Sequence, residues 1–274
     1  MDGKGVDKSY KQRDEVLQGH VAKFNPILLE LIEIQDNTRR QFAKFAADIL
    51  GYVVMAISYP ICEPEETIER AAAILVRKDA FMRNRFVPTI TRACVDGKFS
   101  IAAVHDTIED VHHVCCYIHH ADSTANKSKK ALTKNKIIES NKNNFNEAIS
   151  EIKRNRIVYV KERSEFQTNL QDLRIVVSGD LNLYIPAVVA VLDKSPLSFL
   201  EDKLHPNWHT RVLHYHEVSK STFTKIDYIL GHNISTKIHQ PIYNDYDHLS
   251  IVSDIYFKGC FELMKVPLRG KFLF

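Results

Sequence analysis

The stretch that most constrains the chain is Phe99 to His120, FSIAAVHDTIEDVHHVCCYIHH. It follows the turn signal Asp96-Gly97 and carries two stripes that step by four, three, four and three. One is apolar: Val104, Ile108, Val111, Cys115 and Ile118. The other lies one residue further on: His105, Glu109, His112, Cys116 and His119. On a 3.6-residue period these are adjacent faces of one helix, so the spacing predicts a helix with a core face beside a ladder of ligand-type side chains.

The flanking sequence extends the helical reading over residues 1–126. A short helix is expected from about Ser9 to Ala22. Asn25-Pro26 is a capping start, and Ile27, Leu31, Ile34, Phe42, Phe45, Ile49, Val53 and Ile57 recur near helical period until Pro60. Glu63-Pro64-Glu65-Glu66 opens another helix, and Pro88 opens a short one, VPTITRACV. Helices joined by short connections predict a bundle.

Charge then sets off a connector, residues 127–155, whose basic character runs on to Arg163. Lys127 to Arg163 holds eleven cations against four acids, a local net of +7 in a chain of net +3, which leaves −4 elsewhere. Its cations include Lys127, Lys129, Lys130, Lys134, Lys136, Lys153, Arg154 and Arg156, a candidate polyanion-binding set for RNA, DNA or an anionic membrane. From Arg156 onward β-branched and aromatic runs dominate: RIVYV, LRIVV, LYIPAVVAVL, RVLHYHEV, FTKIDYIL, HLSIVSDIYF and FELMKV. Residues 156–274 are therefore expected to form an antiparallel β-sandwich or jelly roll, with Pro186 at an edge or bulge. The expected fold class is α+β, a helical bundle, a basic connector and a β-rich domain, an arrangement that resembles some viral shell proteins and some pore-forming toxins.

Several chemistries lack their motifs. No Gly-x-Ser-x-Gly elbow, Walker loop or Gly-rich dinucleotide turn occurs, and the chain has only nine glycines. Five cysteines without a CxxC pair indicate neither a disulfide framework nor a zinc knuckle. The polar N-terminus and the absence of a 20-residue apolar run lead to the expectation of a cytoplasmic protein without a transmembrane segment.

Two His constellations remain. Pairs of rungs on the Phe99–His120 ladder, such as His105/Glu109 or His112/Cys116, can hold an ion, but its 21 Å length at about 1.5 Å per residue exceeds one site. His205, His209, His214 and His216 form the second group, with His214 and His216 on one strand face. The segment Ala102 to Asp110, AAVHDTIED, resembles the His-Asp and Glu-Asp box of HD-type hydrolases that cleave alarmone phosphates. By that resemblance His105 and Asp106 would hold a divalent metal ion, while Glu109 and Asp110 would assist hydrolysis. Without a complete catalytic set, the primary expectation is a cofactor-free binding or assembly protein, self-associating and in contact with nucleic acid or another polyanion. The alternatives are a metal-dependent phosphohydrolase built on the 99–120 helix, and a membrane-inserting pore former.

Overall fold

A computed structural model describes residues 15, 17–34, 37–60, 67–68, 70–81, 84–95, 97–120, 134–162, 174–193, 198–199, 211–213, 222–224, 227–238, 251–257 and 268–273. The strands are β1 (Leu28–Ile34), β2 (Asn37–Thr38), β3 (Tyr52–Ser58), β4 (Thr67–Ile68), β5 (Ala71–Arg77), β6 (Phe86–Val95), β7 (Phe99–Asp106) and β8 (Val111–Ile118). They continue as β9 (Arg174–Asp180), β10 (Ser198–Phe199), β11 (Arg211–Leu213), β12 (Thr222–Thr224), β13 (Asp227–His232), β14 (Ile234–Ile238), β15 (Ile251–Phe257) and β16 (Leu268–Leu273). Twelve of them build two six-stranded mixed sheets, in the orders β14-β15-β16-β1-β5-β3 and β10-β13-β9-β8-β7-β6.

Three apolar layers hold the sheets. Between them lie Leu28, Ile32, Ala56, Ile74 and Val76 of the first sheet against Ala102, Val104, Cys115 and Tyr117 of the second. The outer face of the second sheet is covered by the helix Lys134–Glu162, through Phe145, Ala148, Ile149 and Ile152, and by the helix Ile185–Leu192. The outer face of the first is covered by Phe42, Ala46 and Leu50, from the helix Arg39–Phe45 and the π-helical turn Ala46–Leu50 that continues it. Both faces of each central strand are thus apolar, as in sheets sandwiched between helices.

This architecture overturns the expected helical bundle followed by a sandwich. The presumed 99–120 helix is the hairpin β7–β8, paired in unbroken register from Phe99 opposite Ile118 to Asp106 opposite Val111. Along β8, Val114, Cys116 and Ile118 face the helices while Cys115 and Tyr117 face the other sheet. An apolar residue on either face erases the period-two signal of a half-buried strand. The run expected as helix from Ile27 to Ile57 is β1, a helical turn and β3, and VPTITRACV lies in β6. Conversely, RIVYV and IPAVVAVL, expected as strands, are helical, the latter with Pro186 in its first turn. Chain order does not separate the sheets either, since β8 pairs with β9 and β1 with β16.

Candidate active site

Strand directions bring one set of termini together. β1, β8 and β9 end where β5 and β13 begin: Ile34 pairs with Ala71, and Asp180 pairs with Asp227. β8 stops at Ile118, with the buried His119 immediately beyond it.

The turn Gly179-Asp180-Leu181-Asn182 is the best-defined part of this end. Gly179 is at φ +145°, and a Cβ there would overlap the carbonyl oxygen of Cys116 and lie 2.8 Å from its carbon. Only glycine lets β9 approach β8 so closely. Asp180, 1 % exposed, accepts from the backbone N–H of Asn182 at 2.7 Å and from its Nδ2 at 3.1 Å. Asn182, left-handed at φ 48°, also donates from Nδ2 to the Ile118 carbonyl at 2.8 Å. Asn141 of the long helix donates to the Asn182 carbonyl at 2.9 Å, so the covering helix steadies the turn. Across the ladder, the buried Asp227 stands opposite Asp180. Like charges opposite one another in a sheet are unfavourable, which makes the pair costly unless a cation or proton relieves it.

The other sheet contributes Glu33. The β1–β5 register shifts between Leu31 and Ile34, and Glu33 within that bulge is left-handed at φ 54°. Such a conformation costs on the order of 1–3 kcal/mol for a non-glycine residue and gathers at functional sites. The bulge turns the carboxylate toward the second sheet, where Tyr117 donates its hydroxyl to Glu33 Oε1. Burial, then the negative charge of Glu33 and its hydrogen bond, then the charge of Asp180, push the Tyr117 phenol well above its ordinary range, while Arg70 opposes them. Arg70, left-handed at φ 51°, precedes β5. His119 completes the wall: Ser100 Oγ lies 3.0 Å from its Nε2, its backbone N–H donates to the Lys98 carbonyl at 2.9 Å, and its ring meets Tyr117 at 5.0 Å between centroids.

The residues singled out from sequence lie elsewhere for the most part. His105 and His112 are cross-strand partners, their rings stacked at 4.2 Å, and His105 Nε2 sits 2.9 Å from Asp110 Oδ1. Asp106 is held by Arg85, with Nη2 at 2.9 Å, and caps the turn by accepting from the N–H of Ile108 and Glu109. His112 is about 23 Å from His119 at roughly 3.3 Å per strand residue. Cys116 is fully buried beneath the site, and burial first, the Asp180 charge second, push its thiol up to about 12. Lys136, Lys153 and Arg154 are exposed on the long helix. Lys127, Lys129, Lys130, the side chains of Lys134 and Arg156, and His205, His209, His214 and His216 lie outside the described residues. Glu33, Tyr117, Asp180, Asn182 and Asp227 were not anticipated. The signal for two of them is in the sequence: an apolar strand, RIVVS, closed by Gly-Asp-x-Asn.

Two consequences can be measured. Arg85→Ala would leave Asp106, whose side chain is 5 % exposed, as a buried unpaired charge, with an expected loss of about 3 kcal/mol in urea unfolding. Cys116 titrates near 9 when unfolded and about 12 when folded, so its contribution is intact below pH 9 and lost as pH rises toward 12. Native protein should therefore resist thiol alkylation at pH 8, react only on unfolding, and lose stability along an alkaline limb that Cys116→Ala shortens.

The fold is that of the endonuclease/exonuclease/phosphatase proteins. A TDP2 from Caenorhabditis elegans superposes with a TM-score of 0.57 at 14% identity, over 93% of this chain and 70% of that one. An endonuclease/exonuclease/phosphatase family protein from Bacteroides thetaiotaomicron gives 0.54 at 13% identity, over 94% of each chain. A mannosyl-6-phosphatase from the same species gives 0.52 at 13% identity, over 93% of this chain and 96% of that one. No protein-family model matches the chain, nor does any curated protein. These neighbours overturn the expectation of a structural, self-assembling or pore-forming protein. Of the readings made from sequence, the phosphohydrolase agrees with them better, although the 99–120 segment expected to carry it is a hairpin and not a helix. Among the described residues, no helix is long and apolar enough to cross a membrane.

Proposed function

We propose that the chain is a phosphoesterase assisted by a divalent cation, acting on a phosphodiester of the nucleic-acid type. The observation that carries the reading is the Gly179–Asn182 turn set against Asp227, with Glu33 brought in from the opposite sheet.

The cation rests on donor chemistry. Among the described residues no three His, Cys, Asp or Glu side chains are grouped to cage an ion. Oxygen donors from Asp180, Asp227 and Glu33 suit a magnesium-type ion, which keeps several waters and is held by one or two carboxylates together with substrate phosphate. When bound, such an ion supplies charge stabilisation to a phosphoryl group. The chain's own residues orient and screen. Asn182 and Asp180 lock one another, Tyr117 fixes Glu33, and Ser100 fixes the His119 ring. Arg70 brings a positive charge to the same end, where it offsets the carboxylates an anionic substrate would meet.

The polymer substrate is supported by Lys136, Lys153 and Arg154, exposed on the helix whose Asn141 holds the site turn. One solved D. rerio TDP2, of TM-score 0.51 and 13% identity over 88% of this chain and 90% of that one, is complexed with single-strand DNA product. The test is hydrolysis of single-stranded DNA and RNA, bis-p-nitrophenyl phosphate and p-nitrophenyl phosphate, with Mg²⁺, with Mn²⁺ and with EDTA. The reading requires EDTA-sensitive cleavage with the polymer preferred. Neutralising those three cations to Gln should lower the magnitude of the log–log salt slope for a single strand by about 2, at roughly 0.7 per phosphate contact. Absence of hydrolysis with either metal would sink the enzyme reading. An unchanged slope would sink the role of the helix.

A further inference from the structure

We infer that Tyr117 is a positioning residue which holds Glu33 across the seam between the two sheets, so that cation binding at the site depends on the phenol hydroxyl. This deepens the proposed phosphoesterase reading and rests on it.

Three independent features converge on the pair. On an unbroken β1, Glu33 would share the face of Leu29 and Leu31, which pack in the layer containing Phe42, Ala46 and Leu50 and away from the second sheet. The bulge between Leu31 and Ile34 and the left-handed backbone of Glu33 reverse that direction. The strain is sustained by what the side chain reaches, and the contact at its end is the Tyr117 hydroxyl. Tyr117 in turn is fixed on both sides. Its strand is paired throughout with β7, its ring packs in the inter-sheet layer, and it meets the His119 ring at 5.0 Å with a tilt of 51°.

The arrangement also answers a geometric need. Asp180 and Asp227 both belong to the second sheet, and the first sheet sends two carboxylates across to it: Glu30, which accepts from Ser178, and Glu33, which accepts from Tyr117. A carboxylate on a bulge has several orientations open to it, whereas one tied to a rigid phenol has one. Groups that orient a ligand without touching the ion commonly control affinity by ten- to a hundredfold. Tyr117 is suited to that task because it lies between Glu33 and Asp180, feeling the charge of each.

Mn²⁺ titration followed by the electron paramagnetic resonance of the free ion tests this without reliance on turnover. The variants are Tyr117→Phe, Glu33→Gln and the double substitution, each with its thermal unfolding recorded. Tyr117→Phe should weaken Mn²⁺ binding about tenfold with a cooperative unfolding transition retained, and Glu33→Gln should weaken it at least as much. The double variant should match Glu33→Gln alone, because the hydroxyl acts only through that carboxylate. Unaltered affinity in Tyr117→Phe, effects that multiply in the double variant, or no Mn²⁺ binding by the parent would each overturn the inference. Hydrolysis measured in parallel separates the two claims. The expected affinities without hydrolysis would remove the enzyme and keep the clamp, whereas hydrolysis with Tyr117→Phe binding Mn²⁺ normally would remove the clamp alone.

Discussion

Asp180→Asn should reduce phosphoester hydrolysis by about a thousandfold while leaving the protein folded. A thousandfold is about 4 kcal/mol of barrier, at 1.36 kcal/mol per decade. The size follows from the position of the carboxylate: buried, opposite Asp227, and at the end of β9 where the turn begins. The substitution is chosen to spare the fold. Asparagine keeps an oxygen able to accept the Asn182 backbone N–H, so the 2.7 Å bond that closes the turn survives. What disappears is the negative charge that a cation at this site would use, together with the 3.1 Å bond from Asn182 Nδ2, which would meet an amide NH2 in place of an oxygen. Asn182→Ala makes the contrast. It removes both Nδ2 bonds, to Ile118 and to Asp180, and should lower stability as well as activity. Steady-state assays paired with urea unfolding distinguish the two. An Asp180→Asn protein with near-parental turnover would move the chemistry away from this end of the sheets.

Gly179→Ala is expected to have the largest effect on stability. The added methyl would occupy the space of the Cys116 carbonyl oxygen, and that oxygen belongs to backbone in the middle of a sheet rather than to a side chain that can swing away. Relief requires β9 to separate from β8, which would disturb the pairing that runs from Val111 opposite Arg174 to Cys115 opposite Ser178. The positive φ adds a penalty that the methyl group alone would impose. A loss on the order of 4–5 kcal/mol is expected, placing the change in the diagnostic tail of single substitutions. For a chain of this size that corresponds to a fall in Tm of about 10 °C or more. Calorimetry or thermal circular dichroism reads it directly, and a shift under about 3 °C would mean that the strands are not so closely approached. Because Asp180 follows immediately, the same variant should also lose activity.

The two substitutions separate local from long-range information. A short apolar strand ending in Gly-Asp-Leu-Asn is a statement the sequence makes alone: the glycine permits the approach, and the acid and amide close on one another within three residues. The concentration of positive charge in 127–163 is likewise a property of composition, and part of it lies on an exposed helix surface. The strand of LRIVV was legible because β-branched runs are short and bounded by turns, whereas FTKIDYIL, expected as one strand, is divided between β12 and β13 in different sheets.

Tertiary structure decided the rest. The hairpin Phe99–Ile118 has no glycine or proline in its turn, Thr107-Ile108-Glu109-Asp110; Asp106 makes that turn by capping it and pairing with Arg85, 21 residues away. With helices on one face and a second sheet on the other, the middle of both strands is apolar on either face, and steps of three and four then arise without a helix. His105, Asp106 and His112 consequently lie at the hairpin's turn end, while at the other end Asp180 stands opposite Asp227 and Tyr117 meets Glu33. Spacing along the chain carries no trace of that meeting, because strand order in the sheets brings distant residues together. Glu33 is the clearest case. Its direction is set by a bulge and by a phenol 84 residues further on, and both exist only once the two sheets have packed.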